Sequence, residues 1–275
     1  MFELRCTVRN CRHTLVLSED GLKCDGGHHF DAAKGGYWNL TQPQDKKSAN
    51  PGDNPNAVLA RHRWLGLGHS AGLVDALRPW IQETNPLNRI LDLGCGDGYF
   101  GPALFPDKAE GFCGIDLSKP AIKLAVKSWP EATWVLANAD RGLPVDDSSV
   151  DCILSLFGRR PVGEMARALT PQGSCLVAVP GEEDLIELRE QIQKEGKRRS
   201  RVQAIIDEMQ NQGLQCVDQK QWRVEVSIGP GEIADALAMT YRAARKSEQL
   251  QVAAIDSEKK VTLAADMMRF QLSAR

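Results

Sequence analysis

The sequence predicts an α/β fold, a mostly parallel sheet wound with helices, preceded by a small metal-held module. Three observations carry that prediction. Ile90, Leu91 and Leu93 form a short apolar run, glycines follow at 94, 96 and 98, and a helical pattern runs through Tyr99, Leu104 and Phe105. Strand, glycine turn and helix in that order form a nucleotide-binding unit. A second strand, through Gly114 and Ile115, ends at Asp116, about 20 residues past the glycines, where a ribose diol is held in such units. Near the start, Cys6 and Cys11, then Cys24 and His28, make two short ligand pairs joined by a longer loop, as tetrahedral zinc requires.

The totals agree with this division. A chain of 275 residues allows one large domain and a small one. Charged residues are 25% and hydrophobic ones 42%, the composition of a globular protein. The formal charge of -2 excludes a global positive field, so any nucleic-acid footprint must be a local patch. Met1 to Cys6 holds no apolar signal core, and no apolar run approaches a membrane span. The expectation is a cytoplasmic protein without membrane contact. Eight cysteines there imply reduced thiols and a metal rather than disulfides.

In order along the chain, Leu15 to Leu17 and Leu22–Lys23 make a hairpin that returns the second ligand pair to the first. So short a segment needs a metal to fold, and four protein ligands make its role structural. His13 and His29 compete with His28 as donors. Phe30 to Leu40 collects Lys34, Tyr37, Trp38 and paired glycines. These residues suit base stacking and phosphate contact, or they plug the base of the metal module. Gln42 to Asn56 is polar and broken by prolines, a linker or ordered loop. A helix follows from Asn56 past Leu67, with Arg61, His62 and Arg63 on a solvated face or against phosphate, and a second from Leu73 to Ile81. The organisation expected is a module at 1–40, linker and helices at 41–82, and the α/β domain at 83–275.

The glycine turn departs from the dinucleotide fingerprint: its third glycine falls one place early, with Tyr99 in the usual position. Asp92 and Asp97 flank it and disfavour a pyrophosphate. Beyond Asp116, Lys119 to Ser128 reads as a helix and Thr133 to Ala137 as a third strand. A fourth strand ends at Leu156, Glu164 to Leu169 is helical, and Thr170 to Gly173 turns into a fifth strand, Ser174 to Val179. Leu185 to Lys194 is helical, and Lys197 to Arg201 is the densest basic run. Arg198 and Arg199 there are phosphate candidates or a solvated turn. Val217 to Val226 and Val261 to Leu272 alternate as the last strands, the latter closing the sheet in an antiparallel hairpin, with a helix from Ile233 to Arg245 between them.

"LDLGCGDGYF" with "GIDLS" resembles the first two motifs of class I S-adenosylmethionine-dependent methyltransferases. The alternatives for these residues are a Rossmann dehydrogenase or a non-binding turn. The ligand quartet, "HHFDAAKGGYWNL", "NPGDN", "ARHRWLGLGH" and "LDLGCGDGYF" occur in that order. Together they resemble the large-subunit ribosomal RNA guanine-N1 methyltransferases of the A type, with their tylosin-resistance relatives. The similarity covers residue 6 to about 180 well. It departs in having four residues, not two, between Cys6 and Cys11.

The resemblance implies a Rossmann-like class I fold with a seven-stranded mostly parallel sheet and a zinc module that helps hold an rRNA hairpin. It implies S-adenosylmethionine and structural Zn2+ as cofactors, large-subunit rRNA as partner, and a homodimer. Asp92, Gly94, Cys95, Gly96, Gly98 and Tyr99 would surround the methionine part. Asp116 and Leu117 would hold the ribose and cover the adenine, and Ala139 and Asp140 would meet the adenine edge. Phe157-Gly-Arg-Arg-Pro161 lacks the Asn-Pro-Pro-Tyr pattern of methyltransferases acting on exocyclic amines, which favours a ring nitrogen. Arg159 and Arg160 there are candidate RNA contacts. No histidine lies beside the sheet's carboxyl edge in sequence, so no general base is assigned. The competing functions are a small-molecule methyltransferase carrying a zinc knob and a zinc-containing RNA-binding factor with a silent domain.

Overall fold

Short aliphatic runs alternate with amphipathic segments from residue 90 onward, and the chain folds them into a sheet covered on both faces. The computed structural model describes residues 2–9, 11–46, 52–192, 200–240 and 257–273. Four short strands come first: β1 Leu4–Arg5, β2 Thr14–Ser18, β3 Gly21–Lys23 and β4 His29–Asp31, an antiparallel sheet in that spatial order. β5 is Trp38–Asn39. Helix α1, Pro55–Gly66, starts where the Asn54 side chain accepts from Asn56 N and proline takes the first helical position. α2 is Ala71–Gln82.

The glycine unit is β6 Ile90–Leu93 and α3 Phe100–Leu104. Then come β7 Phe112–Asp116, α4 Lys119–Ser128, β8 Thr133–Leu136, β9 Val150–Leu156, α5 Val162–Ala168 and β10 Leu169–Pro180. The chain continues through α6 Ile186–Ile192, α7 Val202–Gln210, β11 Leu214–Ile228, α8 Pro230–Thr240 and β12 Lys259–Leu272. The large sheet runs β11-β12-β10-β9-β6-β7-β8-β5. β10 through β5 are mutually parallel, and β12 is antiparallel to both β10 and β11.

The sheet has eight strands where seven are expected. The extra one is β5, which pairs Trp38 with Val135 and Asn39 with Leu136 beside β8. The turn expected at Thr170–Gly173 is absorbed into β10, whose pairing with β9 shifts register between Leu169 and Ser174.

The small sheet does not stand apart. Phe2, Leu4, Leu15, Leu22, Phe30 and Leu40 are buried in one core with Leu91, Leu93, Val135 and Val177 of the large sheet. Arg5 N donates to Pro144 O at 2.9 Å, and Arg89 Nη2 donates to Glu3 O at 3.1 Å. The opposite face buries Leu77, Trp80, Phe112 and Trp134 against Leu154 and Leu176. Strand order reverses at β6, which neighbours both β7 and β9. In open α/β sheets the ligand crevice lies beyond the carboxyl ends at that point.

Candidate active site and metal centre

A cavity of about 970 Å³ opens there. Its floor is Asp92 and residues 94–97, its walls include Leu156, Phe157 and Pro180 from the ends of β9 and β10, and α1 closes it with Arg61 and Trp64.

The glycine turn is tied to β7. Gly94 N and Cys95 N both donate to Ile115 O, at 2.8 and 3.1 Å, and Gly96 N donates to Asp116 Oδ2 at 2.9 Å. The three glycines do different jobs. A Cβ on Gly98 would lie 2.7 Å from Trp134 and 2.9 Å from Ala125, so Gly98 lets the turn pack onto α4 and β8. A Cβ on Gly94 would lie 3.1 Å from Gly158 Cα. A Cβ on Gly96 would meet nothing within 4 Å. Gly96 lines the cavity with a φ of 59°, so the open side of its backbone is available to a ligand.

Three carboxylates stand around this turn. Asp92 is 2% exposed, and its Oδ2 has no hydrogen-bond partner. Burial first, then the charges of Asp116 and Asp97, push its carboxyl up to about 8. Asp116 is raised by burial as well, against the Ser118 and Gly96 amides that favour its charge. Asp97 is 5% exposed, and its Oδ2 lies 2.6 Å from His62 Nδ1 on α1. The sequence places His62 on a solvated or phosphate-facing helix; the return of α1 over the turn brings it, from 35 residues upstream, to the sheet's carboxyl edge. A cavity with surplus acid and an orphaned buried carboxylate oxygen suits a cationic ligand, and S-adenosylmethionine carries both a sulfonium and an ammonium.

Of the residues expected to bind cofactor, the cavity brings together Asp92, Gly94, Cys95 and Gly96. Gly98 lies behind the turn, and the Tyr99 ring packs edge-on to Phe100 at 5.2 Å. Asp116 reaches the turn through Gly96. Gly52, in the loop before α1, lies over Leu117 and Ser118, since a Cβ there would come 2.8 Å from Ser118 N. Leu117, Ala139 and Asp140 are not among the lining residues. Asp140 is paired with Arg159. A residue expected to meet adenine and one expected to meet RNA therefore hold each other, across 19 positions of sequence.

Of the RNA candidates, Arg61 and Arg160 line the cavity. Arg61 Nη1 bonds Asp53 Oδ2 at 2.9 Å. Arg160 has a buried Nε without a partner, and burial holds its guanidinium below its usual range. Arg63 pairs with Asp235 of α8. Lys34 is exposed. Tyr37 corrects the stacking expectation: it is 5% exposed, packed into the core, and offers no face to a base. Trp38 is half-buried as part of β5. Arg198 and Arg199 lie outside the described residues.

At the metal centre, Cys6, Cys11, Cys24 and His28 place their ligand atoms within 4.8 Å of one another. Cys11 Sγ and Cys24 Sγ are 3.6 Å apart, and His28 Nδ1 is 3.5 Å from Cys6 Sγ and 3.4 Å from Cys24 Sγ. Tetrahedral zinc, with bonds of about 2.3 Å to sulfur and about 2.0 Å to nitrogen, demands S···S near 3.8 Å and S···N near 3.5 Å. The quartet is therefore set for zinc, with no open position. The longer Cys6–Cys11 segment is taken up by a turn in which Cys11 N donates to Val8 O at 3.0 Å. His29 points elsewhere, toward Asp20 at 3.2 Å and Asp31 at 3.3 Å.

Comparison with known proteins agrees with both sites. A family model described as a methyltransferase domain matches residues 90–173, and one described as "RlmA, N-terminal", a zinc ribbon, matches residues 4–49. The 23S rRNA (guanine(748)-N(1))-methyltransferase of Streptomyces fradiae is 33% identical over 190 residues, 67% of this chain and 66% of that one. YxjB of Bacillus subtilis strain 168, provisionally named for the guanine-N1 activity on 23S rRNA, is 33% identical over 207 residues, 71% of each chain. Among solved structures, YcgJ of Bacillus subtilis shares the fold, with a TM-score of 0.51 at 16% identity over 76% of this chain and 100% of that one.

Proposed function

This chain belongs to the 23S rRNA guanine-N1 methyltransferase family, and we propose that it methylates N1 of a guanine in a hairpin of large-subunit ribosomal RNA. S-adenosylmethionine supplies an electrophilic methyl group on a sulfonium. The observation that carries the reading is the vacant face of Gly96 beside the unpartnered Asp92 Oδ2, at the sheet's switch point.

Asp92 and the backbone at Gly94, Cys95 and Gly96 would hold the methionine end, with Gly98 and Tyr99 supporting the turn from behind. Asp116 would take the ribose hydroxyls, and Leu117, Ala139 and Asp140 would border the adenine. Trp64, Leu65 and Leu156 exclude water from the same space. A guanine N1 is engaged in base pairs within a helix, so the base must be unpaired or flipped to enter. Arg160 at the cavity, Lys34 beside the zinc module and Trp38 on β5 are the candidates for holding the RNA around it. An rRNA substrate makes the cytoplasm the site of action, and the homodimer implied by the family resemblance is part of this reading.

The test is methyl transfer from labelled cofactor to rRNA from a strain lacking the gene, with primer extension to map the product. A methyl on the pairing edge of guanine stops reverse transcription. Label confined to small metabolites, or no new stop, would overturn the reading.

A further inference from the structure

We propose that Asp184 accepts the proton that leaves guanine N1 as the methyl group arrives. The inference rests on the guanine-N1 reading above and names a base that neither the sequence motifs nor the family comparison assigns.

The chemistry requires an acceptor. In neutral guanine N1 carries a hydrogen, and its lone pair is delocalised into the ring carbonyl. For transfer, the N1–H bond breaks toward a carboxylate oxygen, the freed pair forms the N1–methyl bond, and the carbon–sulfur pair departs onto sulfur. One carboxylic acid, one N1-methylguanine and one neutral thioether result. The acid then loses its proton to solvent.

Five described acids line the cavity: Asp92, Asp97, Glu182, Asp184 and Glu208. Asp92 lies beneath the glycine turn, on the donor's side. Asp97 is engaged by His62. Glu208, on α7, lies in the field of Arg160, and Glu182 is exposed to solvent. Asp184 follows β10, on the side of the cavity where Leu156 and Phe157 leave β9.

Its geometry is that of a held base. Ala264 N of β12 donates to Asp184 Oδ1 at 3.0 Å, and among the described residues nothing donates to Oδ2. The turn beneath it is pinned on both sides. Gly181 N donates to Ala264 O at 2.9 Å, Asp184 N to Gly181 O at 3.2 Å, and Leu185 N to Thr262 O at 2.7 Å. Leu185 is buried with a φ of 51°, a backbone state a leucine keeps only when its surroundings impose it. Arg189 Nη1 holds the Asp184 carbonyl at 3.1 Å.

The charged groups around the carboxylate are mixed. Arg189 and Glu187 stand on α6, Arg201 precedes α7 and Glu208 lies on it, and Arg160 sits on the loop after β9, with Arg61, Asp92 and Asp97 lining the same cavity. β12 presents only its backbone amide here. Burial pushes the carboxyl up to about 6 against the Ala264 hydrogen bond and Arg189. It is therefore ionised at neutral pH, yet a stronger base than an exposed aspartate.

The experiment uses the full-length, zinc-loaded protein with an rRNA transcript and S-adenosylmethionine saturating at every pH, so that the Asp92-dependent change in donor affinity drops out, and measures single-turnover rates from about pH 5 to pH 9. Wild type should rise about tenfold per pH unit up to about pH 6 and then level off. Asp184→Asn keeps a carbonyl oxygen for Ala264 N but cannot take the proton. It should lose about a hundredfold or more at neutral pH and lose the acidic limb, with cofactor and RNA affinities unchanged. Asp184→Glu should keep a titrating limb at reduced rate. A rate within about threefold of wild type in Asp184→Asn, or an unaltered limb, overturns the proposal. Should Asp184→Asn fail to fold, a flat profile in Asp184→Glu overturns it. Wild type that leaves guanine unmethylated would sink the functional reading instead, before any variant is compared.

Discussion

Replacing Asp92 with asparagine separates charge from shape at the donor site. The side chain is 2% exposed, and Asp116 and Asp97 add like charge to its burial, so its carboxyl titrates near 8 rather than 3.8. If the cationic donor needs the ionised form, its dissociation constant scales as one plus the ratio of protonated to ionised Asp92. That ratio is about 1 at pH 8 and about 100 at pH 6, so affinity should fall roughly fiftyfold between them. Calorimetric titration of S-adenosylmethionine into wild type and Asp92→Asn at matched pH cancels any titration of the ligand itself. The variant should bind weakly and without the slope. Stability should move the other way. The folded state keeps a proton on Asp92 that the unfolded chain loses above about 3.8, so that contribution is full in acid and is lost as pH rises toward about 8. Asp92→Asn should consequently be more stable than wild type at alkaline pH, by on the order of a few kcal/mol. Equal pH dependence of donor affinity in the two proteins would refute the electrostatic account of this site.

Two further outcomes follow from the packing. Chelating zinc, or making Cys24→Ser, should lower the melting temperature of the whole chain rather than of a separate module, because Leu4, Leu22 and Phe30 share a core with Leu91 and Val177; scanning calorimetry with zinc analysis measures it. Gly98→Ala should destabilise by about 2–4 kcal/mol through contact with Trp134 and Ala125. Gly96→Ala should cost only about 1–2 kcal/mol of backbone strain yet abolish donor binding, which denaturant melts and ligand titration together separate.

What could be read from the sequence was whatever is local. The apolar runs at Ile90 and Thr133 announce strands because burial on both faces favours aliphatic side chains, and the alternation at Val261 announces the last one. The ligand quartet is legible because its pairs are close in sequence. What was hidden depends on distance along the chain. β5 is two residues long and forms because Leu136 offers its carbonyl at 2.9 Å to Leu40 N, with no periodicity to betray it. His62 meets Asp97, Arg159 meets Asp140, and Asp184 meets Ala264 only after the sheet is assembled. Tyr37 looked like a stacking surface because aromatic residues beside lysine and glycine serve either purpose, and only the observed burial distinguishes them.

The charge arrangement of the cavity ties these pieces into one cycle. The glycine turn brings Asp92 and Asp97 to its lining, with Asp116 held behind through Gly96 N, and Arg160 and Arg201 line it as well. The acids favour a cationic cofactor and the arginines favour RNA phosphates. Methyl transfer removes the sulfonium charge, so the acids at the glycine turn lose part of their compensation just as the product forms. With the proton on Asp184, the acceptor side has also lost a negative charge near the RNA phosphates. The partial exposure of Asp184 gives that proton a route to solvent.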